Sequence, residues 1–297
     1  MKLILAITFL VNILLPSNQI PAPDQDHPIL IKGATLHTVS HGTMENAEII
    51  IDQGKIIAVG YQLSAMYGIE KIDASGQHIF PGLISAGSTL GLQEIGAVRA
   101  TRDYAEVGSI NPNVRANVSY NPDSELIPIS RSNGVLFALT VPRSGLVSGM
   151  SSLMMLDGWT WEDATLIHPV GLHIFWPYMN LPKPQSGKKK DDNEKDMRLK
   201  SIQRIDDLLQ DSRAYLKLKD SGSSSYKHDL RLTGMLPVIT GDIPVYIHAN
   251  EVRQIEAAVY WADRQNLAMV LVGGKDSWRV TGLLKERDIP VIYTQTH

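Results

Sequence analysis

Short apolar runs, punctuated by glycine, set the pattern of the chain after residue 27. Pro28–Lys32 is apolar and ends at Gly33, and Ala47–Asp52 leads through Gln53-Gly54 into Lys55–Gly60. A strand, a tight turn carrying glycine and a second strand predict a hairpin. Lys71–Gly76 turning into Gln77–Phe80 extends this small all-β unit over residues 28–80. Further on the period changes. Gly134–Val141 and Pro244–Ala249 read as buried strands, Glu251–Gln265 repeats its apolar residues at helical spacing (Val252, Ile255, Ala258, Val259), and Leu267–Val272 is a strand again. A short helix over Ser277–Glu286 and a strand at Pro290–Tyr293 complete an alternation that predicts parallel βα units with both sheet faces covered. Ahead of them, Leu199–Leu216 presents Ile202, Ile205, Leu208 and Leu209 on one helical face. Residues 88–133, rich in Asn, Ser, Pro and Arg, read as a long structured loop, and the charged stretch 182–198 as a solvated excursion leading into that helix.

The first residues follow a different logic. Met1-Lys2 is a basic start, Leu3–Leu15 is apolar apart from Thr8 and Asn12, and Pro16 to Pro23 is polar and helix-breaking. That order is a signal peptide over residues 1–23, with an apolar run short of the roughly 20 residues that span a bilayer. The expectation is a secreted or periplasmic protein with no stable membrane span after cleavage. Of its 297 residues, 28 are Lys or Arg and 31 Asp or Glu, a net charge of −3 that predicts no nucleic-acid partner. There is no cysteine, which excludes disulfides, thiolate metal sites and cysteine nucleophiles. Any metal must be held by His, Asp, Glu or a modified Lys.

Three segments together resemble the amidohydrolase superfamily, in particular imidazolonepropionase-like and dihydroorotase-like members. They are the hairpin unit from Gly33 to Gly60, the junction Ile72-Asp-Ala-Ser-Gly-Gln-His-Ile-Phe-Pro-Gly-Leu-Ile84, and the strand Ile243-Pro-Val-Tyr-Ile-His-Ala-Asn250. The resemblance implies a (β/α)8 barrel flanked by a small N-terminal β-sandwich, here residues 81–297 and 28–80. It also implies hydrolysis of a non-peptide or small-peptide carbon–nitrogen bond by water on a divalent zinc or manganese ion, at the C-terminal ends of the barrel strands. The chain ends at His297, just after a strand without a return helix, so the barrel is expected to be incomplete and the chain an N-terminal fragment.

The metal motif implied by the resemblance is degenerate. The family's first strand ends in His-x-His, because residues two apart on a strand face one way. Here those positions are Gly87 and Thr89, and the position of the next ligand is Gly273. His248, at the end of its strand, is the retained metal candidate. The catalytic base is expected beyond residue 297, and neither it nor a substrate-binding residue can be named. Lys217 and Lys219 read as helix-end surface residues and Glu94 as a loop residue with a conceivable place at the mouth. Other chemistry-bearing residues have structural readings: His37 and His41 as surface; Trp159, Trp161, His168, His173 and Trp176 as packing, with the wall of a substrate pocket as the alternative; and Arg99, Arg102 and Asp103 as a solvated loop, with a grip on a substrate carboxylate as the alternative. Asn117-Val-Ser119 is a glycosylation sequon. Two readings follow: a metal-dependent hydrolase with a small-molecule substrate, or a catalytically inactive barrel that binds a small molecule. Either allows an oligomer.

Overall fold

The computed structural model describes residues 20–64, 67–179, 192–222, 224 and 226–294. The signal segment read over 1–23 falls almost wholly outside them, as does 182–191 of the charged stretch; from Asp192 that stretch is already helix. The chain forms two compact units. The first comprises residues up to Leu83 together with Gly134–Leu136, the second Ile84–Asn133 and Phe137 onward.

In the first unit, β1 (Ile29–His37) lies between β2 (Thr43–Asp52) and β4 (Glu70–Asp73), with β3 (Lys55–Gly60) on the outer edge of β2 and β5 (His78–Ile79) also paired to β1. The β2–β3 pairing is antiparallel, closing at Asp52 and Lys55, and β4 and β5 run parallel to β1. Gln53 and Gly54 both take positive φ, the backbone a two-residue hairpin turn requires. Ala34, Leu36, Ala47, Ile49 and Ala74 form a small core of their own.

The second unit is built on a seven-stranded sheet whose spatial order follows the chain: β6 (Leu83–Ser88), β7 (Val135–Thr140), β8 (Val147–Met155), β9 (Thr165–Phe175), β10 (Val245–Ala249), β11 (Met269–Gly273) and β12 (Val291–Tyr293). From β9 to β12 every pairing is parallel. Parallel neighbours need crossovers. These are the helices Asp192–Asp220 and Leu230–Ile239 before β10, Val252–Gln265 before β11 and Thr281–Glu286 before β12. Alternation decides what each strand residue meets. On one face Leu172, Ile174, Val245, Ile247, Ala249 and Leu271 join the core with helix residues such as Ile205, Leu209, Ile255 and Trp261. Polar anchors fix that helical layer: Trp261 Nε1–H donates to Asp206 Oδ1 at 2.8 Å, and Arg213 donates to Gln265 Oε1 at 2.9 Å. Residues of β6 and β12, the two ends of the sheet, line one cavity. A flat sheet cannot bring its edges together in that way, so the sheet curls into a nearly closed barrel, the expected fold class.

Two strands depart from the expected regularity. β8 pairs antiparallel with both β7 and β9, giving the barrel a long hairpin in place of a βα unit. Neither strand shows a strand pattern in the sequence. β8 carries Ser148, Ser151 and Ser152 at fully buried positions, each with a hydrogen-bond partner: Ser144 N, Gly171 O and His168 Nδ1 respectively. β9 holds Pro169, which argues against a strand on sequence grounds. The loop of residues 88–133 is ordered along β8: Leu146 N donates to Ser109 O at 2.7 Å and Met150 N to Val114 O at 2.8 Å. The helix Leu230–Ile239 contains Gly234 and Pro237, both poor in helix interiors, and has no counterpart in the sequence pattern.

Ile247 is fully buried on the central strand β10, whereas Ile129 is 60% exposed. Ile247→Ala is expected to cost about 2–5 kcal/mol of unfolding free energy. Ile129→Ala should cost less than about 0.5 kcal/mol. Urea unfolding of both variants checks the assignment of the core.

Candidate functional site

The cavity lies at the C-terminal ends of the barrel strands and has a volume of about 640 Å³. Strand ends and the turns after them bring its walls together: Gly87 from β6, Arg143 after β7, Phe175 to Tyr178 from and beyond β9, His248 and Asn250 at β10, Gly273 at β11, and Tyr293 and Thr294 at β12. Among the described residues no Asp or Glu lines it.

His248 is at the mouth, where the sequence predicts it. It does not stand ready as a ligand. Its Nε2 is 2.9 Å from Nδ1 of His173, and its ring stacks on Phe175 with centroids 4.0 Å apart. His173 is 1% exposed and stacks on Tyr246 at 4.8 Å. Parallel pairing of β9 with β10 makes this arrangement: His173 is level with Tyr246 and Phe175 with His248, so the two imidazoles meet on the diagonal of the inward face. Burial pushes the pKa of His248 down to about 3, helped by the Arg143 guanidinium. Burial, then the neighbouring imidazole and Arg143, hold His173 well below the ordinary histidine range. Both rings are neutral near pH 7.

Arg143 was not singled out by the sequence. It follows β7 in Val141-Pro-Arg-Ser-Gly145, its backbone N–H donating to Tyr104 O at 2.7 Å. Its Nη2 donates to Gly87 O at 2.6 Å. A guanidinium therefore occupies the end of the first barrel strand, where the family motif places imidazole. No carboxylate pairs with it among the described residues.

The two glycines at expected ligand positions are built into the backbone. Gly87 has φ +82° and Gly273 φ +97°, values that L side chains rarely adopt. A Cβ on Gly273 would sit 2.5 Å from Asn250 Oδ1. Thr89 does not line the cavity. A catalytic zinc usually takes three protein ligands. Among the described residues no group of three His, Asp or Glu side chains is placed to hold a metal. The one retained histidine is committed to another histidine and faces a cation. The described residues at this mouth do not fit the metal site that the sequence resemblance implies.

The remaining candidates are dispersed. Glu94 accepts from Ser124 Oγ at 2.9 Å and lies outside the cavity, as do Arg99, Arg102 and Asp103. Lys217 and Lys219 are exposed in the last turn of their helix. His37, in the first unit, is 2.9 Å from His78 and stacks on Phe80. Trp159 is 56% exposed, and Trp161 lies under the Arg115 guanidinium at 6.0 Å. Trp176 packs on Trp261 and also lines the cavity. His168 is 2.8 Å from Ser152 Oγ, the spacing of a nucleophile and its base. Ser152 is fully buried, however, and its Oγ also accepts from Asn117 N, so the pair closes a polar contact within the barrel wall. Asn117 itself is 1% exposed and its amide donates to Thr165 Oγ1, which removes the sequon as a glycosylation site in the folded chain.

The structure is similar to the crystal structure of an amidohydrolase from Thermotoga maritima MSB8, with TM-score 0.78 and 23% identity, over 90% of this chain and 70% of that one. At that identity the likeness shows the fold: a barrel of the amidohydrolase kind and a separate strand-rich sheet. A 56-residue segment is 36% identical to a dihydroorotase from Trichlorobacter lovleyi, amounting to 19% of this chain and 13% of that protein. The matched segment therefore spans about an eighth of that curated relative. No protein-family model matches the sequence.

The neutral histidines carry a consequence for stability. Their folded-state pKa values lie below the 6.5 of an exposed histidine, so below pH 6.5 the unfolded chain takes up protons that the folded chain refuses. The stabilisation is present above pH 6.5 and is lost as the pH falls towards the folded value, by up to about 1.4 kcal/mol per pH unit for each ring. Urea midpoints at about pH 7.5 and about pH 5.5 should show this loss, and His248→Gln should make it shallower.

Proposed function

We propose that the barrel mouth is a small-molecule binding site that works without a metal-activated water, on a scaffold of the amidohydrolase kind. The observation that carries this reading is the replacement of the ligand set at the strand ends. Gly87 and Gly273 supply no side chains, and the Arg143 guanidinium is fixed on Gly87 O. A cation at that place opposes a second, divalent one through Coulomb repulsion, which is strongest where water is excluded. The same fold serves many chemistries, so the site and not the barrel decides.

The second reading, a hydrolase acting on carbon–nitrogen bonds, is favoured by the likeness to an amidohydrolase and by the dihydroorotase segment. It needs ligands that the described residues of this mouth do not provide. Elemental analysis of the purified chain separates the two readings. Metal below about a tenth of an equivalent, unchanged in His248→Ala, is the expected result. One or two zinc or manganese ions per chain, lost in that variant, would favour hydrolysis.

Export belongs to the same proposal, supported by the basic start and the apolar run Leu3–Leu15. No helix among the described residues is long and apolar enough to cross a membrane. Intact-mass measurement of the protein made by its own cell should find the chain beginning near residue 24; retention of Met1–Pro23 would overturn the export reading.

A further inference from the structure

We infer that the ligand of the barrel mouth is a small carboxylate with a flat, apolar body, gripped by Arg143. The inference rests on the reading of the mouth as a binding site and names what it binds.

The charge balance comes first. Among the described residues lining the cavity there is no Asp or Glu, and Arg143 is the one Arg or Lys. The formal charge of the lining is therefore the single positive charge of Arg143. Arg143 donates one N–H to Gly87 O, and no carboxylate pairs with the rest of its fork among the described residues. A planar fork with free N–H groups fits the two oxygens of a carboxylate better than it fits any neutral group. The absence of acidic side chains also means that a ligand cation meets repulsion with nothing to offset it.

The shape comes second. Phe175, Trp176, Tyr178, Val272 and Tyr293 supply apolar and aromatic walls around the guanidinium, in a cavity of about 640 Å³. Aromatic walls select flat, apolar bodies. Trp176 is 3% exposed, lines the cavity, and its Nε1–H finds no acceptor among the described residues. Buried donors of that kind are normally satisfied, by a ligand or by ordered water. Both features are lost if the mouth is read as a degenerate metal site alone, since a metal centre calls for acidic and imidazole donors and this wall offers a cation, amides and phenols.

The test is equilibrium binding of three probes to the whole chain, followed by ligand-observed NMR or calorimetry: benzoate, its neutral counterpart benzamide, and the cation benzylamine. Benzoate should bind saturably, benzamide at least about ten-fold more weakly, and benzylamine not at all; each ten-fold step corresponds to about 1.4 kcal/mol. Arg143→Gln should lose the preference for benzoate over benzamide, and Arg143→Lys should keep part of it. Benzamide binding as tightly as benzoate would overturn the inference. So would an unchanged preference in Arg143→Gln, and should that variant misfold, the benzoate-to-benzamide ratio of the unmodified chain and of Arg143→Lys still decides. Metal content reports separately on the reading beneath it. A chain with stoichiometric zinc that still prefers benzoate through Arg143 would sink the metal-free reading and keep the carboxylate. A metal-free chain indifferent to the probes' charge would do the reverse.

Discussion

A single guanidinium sets the character of the barrel mouth. Arg143 is tethered by its backbone to Tyr104 and by its side chain to Gly87, so its charge is held at the end of the first barrel strand. Imidazoles buried nearby are held neutral first by burial, which penalises their charged form, and then by the neighbouring Arg143 charge. Two neutral rings can share one hydrogen bond, and His173 and His248 do so at 2.9 Å. The pairing engages Nε2 of His248. The Gly87 carbonyl accepts from the guanidinium, and glycine at 273 leaves the space that Asn250 fills. Charge, tautomer and backbone thus agree on one arrangement.

The barrel wall that carries this mouth is of two kinds. Its parallel part, β9 to β12, is an ordinary layered structure in which alternate residues meet helices or the interior. Its antiparallel part, β7 to β9, lacks the helical crossovers of the parallel part. There the long loop 88–133 lies along β8 instead, and the buried hydroxyls of Ser148, Ser151 and Ser152 bond to loop, neighbouring strand and His168. A polar but fully bonded strand can be buried at little net cost, because folding exchanges bonds to water for bonds to protein.

The architecture is similar to that of an amidohydrolase, and the groups at the strand ends decide what the site can do. Function on such barrels resides in the loops and terminal residues of the strands.

Much of the scaffold was legible in the chain. The glycine-marked hairpin of β2 and β3, the βα alternation after residue 244 and the apolar stripe of the helix Val252–Gln265 are local patterns, and local patterns follow from side-chain period and turn chemistry. The gaps at Gly87, Thr89 and Gly273 could also be read directly, since a missing side chain is a fact of sequence. β8, β9 and the helix Leu230–Ile239 were not legible: serines, Pro169, Gly234 and Pro237 each contradict the element they occupy, and only tertiary hydrogen bonds and packing override them. Nor was the site. His173 and His248 are 75 residues apart, and Arg143 and Gly87 are 56 apart. Composition and motif established which groups the mouth could not have; the curl of the sheet decided which ones it does have, because bringing distant strand ends within hydrogen-bond reach is a property of the folded chain alone.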